Sequence, residues 1–214
     1  IQGSTFMDNL ASKEGGGISA DVVVNIDVFN NHIRGNLAGN IGGGIQVYDG
    51  RYFIIANTKC FENTAESLGG VINCNSFTIF KCVNTAYRQN KGEGLGAVMR
   101  LYKVKFIFNV NSTYLMNKGD CAVLCIMNFQ EVDIISCSFC RNEVRGLSVH
   151  TGNLVRVKQT VFLHSKSYSG VGVLTSYCKV IYITHNTFLR NKASYAGGSM
   201  SLENFRKSYV WHIF

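Results

Sequence analysis

Apolar positions along this chain recur in columns, not in the stripes of an amphipathic helix. The stretch NLASKEGGGI at 9–18 returns as NLAGNIGGGI at 36–45 and as NTAESLGGVI at 63–72. With its asparagine as anchor, Asn9, Asn36, Asn63, Asn90 and Asn117 follow one another at a single constant interval. The spacing then loosens to Asn142, Ser165 and Asn191, and NKASYAGGSM at 191–200 restores the motif. Three places before the anchor stand Phe6, Ile33, Cys60, Tyr87, Tyr114, Phe139, Phe162 and Phe188. Ten places before it stand Ile26, Phe53, Phe80, Ile107, Val132, Val155 and Ile181. Nine places after it stand Ile18, Ile45, Ile72, Met99 and Ile126, with Leu174 and Met200 assigned to the same column in the later units.

A unit of about 27 residues with three short strand segments cannot bury its apolar side alone, but stacked units can. Coiling the chain so that each unit lies ~4.8 Å above the last turns every column into a ladder of parallel neighbours. The pattern predicts an all-β fold, a right-handed parallel β-helix of about eight coils filling 1–214 as one domain. The absence of proline agrees, because internal strands need every backbone N–H.

The polar columns mark corners. The anchor series, Asn9, Asn36, Asn63, Asn90, Asn117, Asn142 and Asn191, is expected to bond its amides to the copies above and below. A second series, Asn30, Asn57, Asn84 and Asn111, is expected to do the same six places earlier. Thr58, Thr85, Ser112 and Thr160 line the neighbouring column, and the glycines after each anchor supply dihedrals that a side chain would forbid.

The segments FMDNLASKEGGGI (6–18), YRQNKGEGLGAVM (87–99) and FLRNKASYAGGSM (188–200) resemble the FxxN and GGA[ILV] repeats of chlamydial polymorphic outer membrane proteins. Similar pectin-lyase-like repeats occur in large surface proteins of protists. The resemblance implies an extracellular or surface-displayed β-helix, often adhesive. The bacterial family's β-barrel translocator and signal peptide have no counterpart in these residues.

Charge and composition refine this picture. The net charge of +8 hides an asymmetry: residues 1–80 carry four Lys or Arg against seven Asp or Glu, and residues 81–214 carry seventeen against six. Lys91, Lys118, Lys166 and Lys192 follow their anchors directly, flanked by Arg88, Arg141 and Arg190, and predict an intermittent basic stripe. The longest apolar run, CAVLCIM at 121–127, is too short to span a bilayer. The chain opens on Ile1 and closes on YVWHIF, which reads as a segment of a longer protein without a recognisable cap at either end.

Catalytic chemistry finds little support. Asp8 and Glu62 share a column two coils apart, ~10 Å by strand spacing. The rest of that column, Gly35, Gln89, Met116, Arg141, His164 and Arg190, is a mixed solvent row. Asp27 and Asp133 lie four coils apart, and resemblance to polygalacturonases would require an Asp-Asp pair and a Gly-His-Gly that are missing, so the Arg-x-Lys spacings at 156–158 and 190–192 stand without them. The five histidines form no ligand spacing. Cys121-x3-Cys125 with Cys137-x2-Cys140 has the rough shape of a zinc site, yet its members fall in four columns. Most of the eight cysteines read as small buried hydrophobes, with one or two disulfides left open. The single sequon, Asn111-Ser112-Thr113, sits on the second asparagine series.

The expectation is therefore a non-enzymatic structural or adhesive segment of a larger surface or extracellular protein. It needs no catalytic, cofactor or metal residues. Its expected partners are a surface protein or glycan and, end to end, a second copy. Nucleic acid and membrane insertion are not expected. The alternatives are a carbohydrate-active β-helix enzyme, lyase or glycoside hydrolase, and an intracellular scaffold in a large assembly.

Overall fold

The computed structural model describes residues 1–214 as strands and turns without a helix. Every named strand pairs in parallel, in sheets of 17, 5 and 2 strands. The result is a β-solenoid of eight coils. The column before the anchors runs in unbroken register from Phe6 through Ile33, Cys60, Tyr87, Tyr114, Phe139 and Phe162 to Phe188. The column from Ile26 to Ile181 is equally continuous and ends on Ser208.

One column differs from the sequence reading. Met99 pairs with Leu124, followed by Leu147, Val173 and Met200. Ile126 instead stands beside Leu101 and Val149, one inward position further on, and Leu174 is an outward neighbour of Ser148. The cause is a loop of variable length. From Ile18 to Asn36, and in every later coil to Val173 and Asn191, the step from this apolar residue to the next anchor keeps the same length. All variation lies in the corner after the anchor, which shortens from Asn90–Met99 to Asn117–Leu124 and then to Asn142–Leu147. The same shortening splits the third face into two sheets, Leu10 to Gly119 on one side and Lys166 to Ala196 on the other.

The corners are set by backbone handedness. Every non-glycine residue with positive φ falls in one of three columns: Asp8 to Arg190, Asn30 to His212, and Val22 to Asn204. Gly42 and Gly69 open a fourth, and a Cβ on the following Gly43 would press on the carbonyl oxygens of Thr64 and Gly70. The Val22 column divides what is otherwise a continuous strand such as Ile18–Phe29.

The core is a stack of layers. Ile45, Ile72, Phe53, Phe80, Tyr114, Phe139 and Phe162 are fully buried, each contributing ~1.5–3 kcal/mol by removal from water. Tyr87, Tyr114, Phe139, Phe162 and Phe188 stack with centroids 4.6–5.0 Å apart and planes within 10°. That spacing is the strand repeat itself, so register imposes the stacking. The buried phenols are partnered: Asn109 donates to Tyr114 Oη at 2.6 Å, and Tyr87 Oη lies 3.3 Å from the Cys82 sulfur.

Candidate functional site

The anchor asparagines form one internal rail. Nδ2 of Asn36, Asn63, Asn90 and Asn117 each donates to Oδ1 of the next anchor at 3.0–3.1 Å, and the backbone N–H of each donates to the same oxygen. Asn9 joins at the first coil, Asn142 passes the rail to the Ser165 hydroxyl, and Asn191 accepts from the Ser165 N–H. A further bond reaches the carbonyl oxygen of a column residue, as from Asn90 to Cys60. From Asn36 to Asn142 each amide is thus consumed internally and unavailable to a ligand, while Asn9 in the first coil is exposed.

The second series behaves differently. Asn30, Asn57, Asn84 and Asn111 are exposed, with φ between 49° and 56°, and a single contact of 3.4 Å, Asn84 to Asn57, links their amides. They are corner residues chosen for a left-handed backbone, which asparagine tolerates, and not an amide ladder. The bonds expected of them are made one place later, where Ser112 and Thr160 hydroxyls accept from the Thr85 and Cys137 N–H groups and Asn186 accepts from Thr160. Asn111 of the sequon therefore faces solvent, while Ser112 is fully buried.

The basic stripe divides in two. Lys91 and Lys118 are strand neighbours, yet Lys91 pairs with Glu93 at 2.6 Å and Lys118 with Glu143 at 3.1 Å. Together with Glu62 and Arg141 they line a shallow cleft of about 720 Å³ with both signs of charge. Glu143 takes the lysine position in its coil, interrupting the row. Arg88 stands one row over, beside Phe61 and Leu115. Beyond the interruption Lys166 and Lys192 pair across strands without an acidic partner, and Arg190 is exposed next to them. Tyr168 and Tyr195 stack there at 5.0 Å, 62% and 74% exposed. This second patch is cationic and aromatic.

The carboxylates do not converge into a free pair. Glu62 is held by Arg34 at 2.9 Å, and Asp8 sits in the first coil against Gly35. Asp133 and Glu131 both clamp Arg156, whose guanidinium is raised above its ordinary value chiefly by Asp133. Glu131 and Arg156 line a groove of about 680 Å³ with Lys158, Lys179 and Tyr182.

A third surface was not visible in the columns. Outward rows of the long face bury a polar rail in which Asn73 bonds Gln46 at 2.7 Å and Arg100 bonds Asn73 at 3.0 Å. The row continues through Cys125 to Ser148. Cys121 stands beside Cys125, 4.0 Å sulfur to sulfur. The Cys121 thiol is lowered below its ordinary value, first by the hydrogen bond it accepts from Cys125 as thiolate, with Arg145 and Ser148 assisting and burial opposing. His150 bonds Ser148 at 2.7 Å and also Ser176, and burial followed by the Arg145 charge pulls it below its ordinary value. Cys137, by contrast, is buried against Asn109, and Cys140 lies on the short face beside Leu115 and Leu163. The four cysteines with zinc-like spacing do not converge, since only Cys121 and Cys125 are in contact, and all eight cysteines are free thiols.

Residues 3–21 match the model of the Chlamydia polymorphic membrane protein (Chlamydia_PMP) repeat. The match covers the first anchor motif, so the first repeat of this solenoid is similar to that of a polymorphic membrane protein family. No curated protein and no solved structure matches the chain. No helix is long and apolar enough to cross a membrane.

Proposed function

We propose that this β-solenoid is a non-enzymatic structural and adhesive segment of a cell-surface or extracellular protein, which presents its cationic, aromatic patch to an acidic glycan or acidic protein surface. The observation that carries the reading is the exposed Tyr168–Tyr195 stack beside Lys166, Lys192 and Arg190, none of which has an acidic partner. Stacked rings offer flat apolar faces to a sugar or an apolar side chain, and unpaired ammonium groups attract sulfate or carboxylate. The similarity of residues 3–21 to a surface-protein repeat supports the location.

The test is retention on immobilised sulfated, uronic-acid and neutral glycans and on acidic proteins. The intact chain should bind acidic surfaces, and the Lys166→Ala, Arg190→Ala, Lys192→Ala triple variant should bind about tenfold more weakly, with a reduced salt dependence. Equal binding by the triple variant, or no binding to any acidic surface, overturns the assignment. A parallel screen of polysaccharides for new reducing ends or unsaturated products addresses catalysis, where turnover lost on Asp8 or Glu62 substitution would make the chain an enzyme instead.

A further inference from the structure

The shortened corners of coils five and six bring together groups that the regular coils keep apart. Cys121 belongs to the corner Asn117–Leu124, and Arg145 to the still shorter corner Asn142–Leu147 directly above, where it stands beside Ala122. Cys125 alternates with the inward-facing Leu124 and Ile126, so its sulfur points out of the core, beneath the corner. Arg100 is the strand neighbour of Cys125 from below. Nε of both Arg100 and Arg145 is buried without a hydrogen-bond partner, and neither arginine forms an ion pair. Two thiols in contact therefore sit between two arginines without an ion-pair partner, of which Arg100 also bonds Asn73 and lies over the Tyr102 ring, with the Asp120 carboxylate facing Cys121.

The separation of the sulfurs indicates what they suit. At 4.0 Å the two sulfurs are in contact as unbonded thiols. Two thiolates sharing one two-coordinate ion at ~2.3 Å per bond lie ~4.6 Å apart when linear. The observed 4.0 Å is about 0.6 Å short of that span, a gap that a small rotation of the partly exposed Cys121 side chain closes. The donor count narrows the ion, since no group of three or more His, Cys, Asp or Glu side chains converges anywhere in the molecule. His150 is engaged by Ser148 and Ser176. Structural zinc requires four donors, and calcium and magnesium require oxygen, whereas soft thiolate ligands select Cu(I).

We propose that Cys121 and Cys125 form a two-coordinate bis-thiolate site for a soft monovalent d10 ion, Cu(I) or its analogue Ag(I). On binding, both S–H bonds break, two protons leave to solvent and two metal–sulfur bonds form, with no change in the oxidation state of the metal or sulfur. The thiol pair goes from neutral to a net charge of −1, which Arg100 and Arg145 face. Cys121 is partly exposed and gives the ion its entry, while Cys125 is buried behind it.

The reduced chain is titrated without oxygen against Cu(I) held by the colorimetric chelator bathocuproine disulfonate. One equivalent should move to the protein. Cys121→Ser and Cys125→Ser should each weaken binding by more than about 100-fold, since even the groups that merely orient metal ligands are worth up to that factor. Cys140→Ser should leave it unchanged. If a serine variant loses its β circular dichroism, native alkylation of the wild type decides: Cu(I) should shield Cys121 from iodoacetamide while Cys140 still reacts. Failure of the wild type to take up Cu(I), binding that survives both serine variants, or alkylation of Cys121 indifferent to Cu(I) overturns the site.

Discussion

At single residues, buried amides and left-handed corners govern this fold. Asn90 accepts two hydrogen bonds from Asn63 and donates to Cys60 and Asn117, with no water access. Asn90→Ala should destabilise by about 3–5 kcal/mol, because several buried groups lose their partner together. Asn84→Gly, at an exposed corner with φ of 49°, should stay within about 0.5 kcal/mol of wild type. Denaturant melts of the two variants compare the two asparagine series directly, and equal losses would mean that the corner amides matter more than their exposure suggests. Val22 carries the opposite error for its place. It is β-branched, 76% exposed and left-handed, a conformation costing an L-residue ~1–2 kcal/mol. Val22→Asn should raise the melting temperature by about 2–4 °C, and an unchanged or lower value would show that another contact holds Val22.

Among elements, the invariant part of each coil is the span from the inward apolar residue to the next anchor, and the corner after the anchor is free. Lengthening the corner Asn142–Leu147 by Gly-Ser-Gly-Ser after Glu143 should cost about 1 kcal/mol or less, as loop closure grows slowly with length. One residue inserted after Val132 should unfold neighbouring coils, because it turns Ile134 and the rest of the strand onto the wrong face. The stacked column adds a pH dependence. Burial raises the phenols of Tyr87 and Tyr114 well above their ordinary value. The unfolded chain loses these protons near pH ~10 and the folded one later, so their contribution is complete below ~10 and disappears as pH rises beyond it. Absorbance at 295 nm should show these two phenols ionising only with loss of β structure, and ionisation before unfolding would contradict their burial. The ladders were legible in the sequence because strict register makes equivalent positions share chemistry, as from Phe6 to Phe188. The corner column Val22, Asp49, Ser76, Lys103, Asn128, Thr151, Tyr177 and Asn204 was not, since it is selected by backbone geometry with no common side chain. The slip at Ile126 and Leu174 arose where the corners shortened, and the contact between Cys121 and Cys125 depends on that same shortening.

For the whole molecule, the two end coils differ from the middle. Ile45 and Ile72 are fully buried, whereas Ile18 in the first coil and Met200 in the last are only partly covered, as are Phe6, Leu202 and Ile213. The strand Lys207–Ile213 pairs on one side with Val173–Leu189 and carries Tyr209, Val210 and Trp211 in exposed positions. Stacking one solenoid on another would cover both open layers and continue the parallel ladders, which is the known hazard and use of unpaired edges. Charge favours a head-to-tail sense, since the segment 1–80 is net acidic and the remainder strongly basic. The chain should therefore sediment as a concentration-dependent series of oligomers at about 20 mM salt and shift toward monomer near 1 M, where screening falls to ~3 Å. Trp211→Lys should oppose assembly at both salt concentrations by placing a charge on the edge. A monomer under both conditions would exclude end-to-end growth, and association that strengthens with salt would assign the contact to apolar burial alone, with no part for the charge asymmetry.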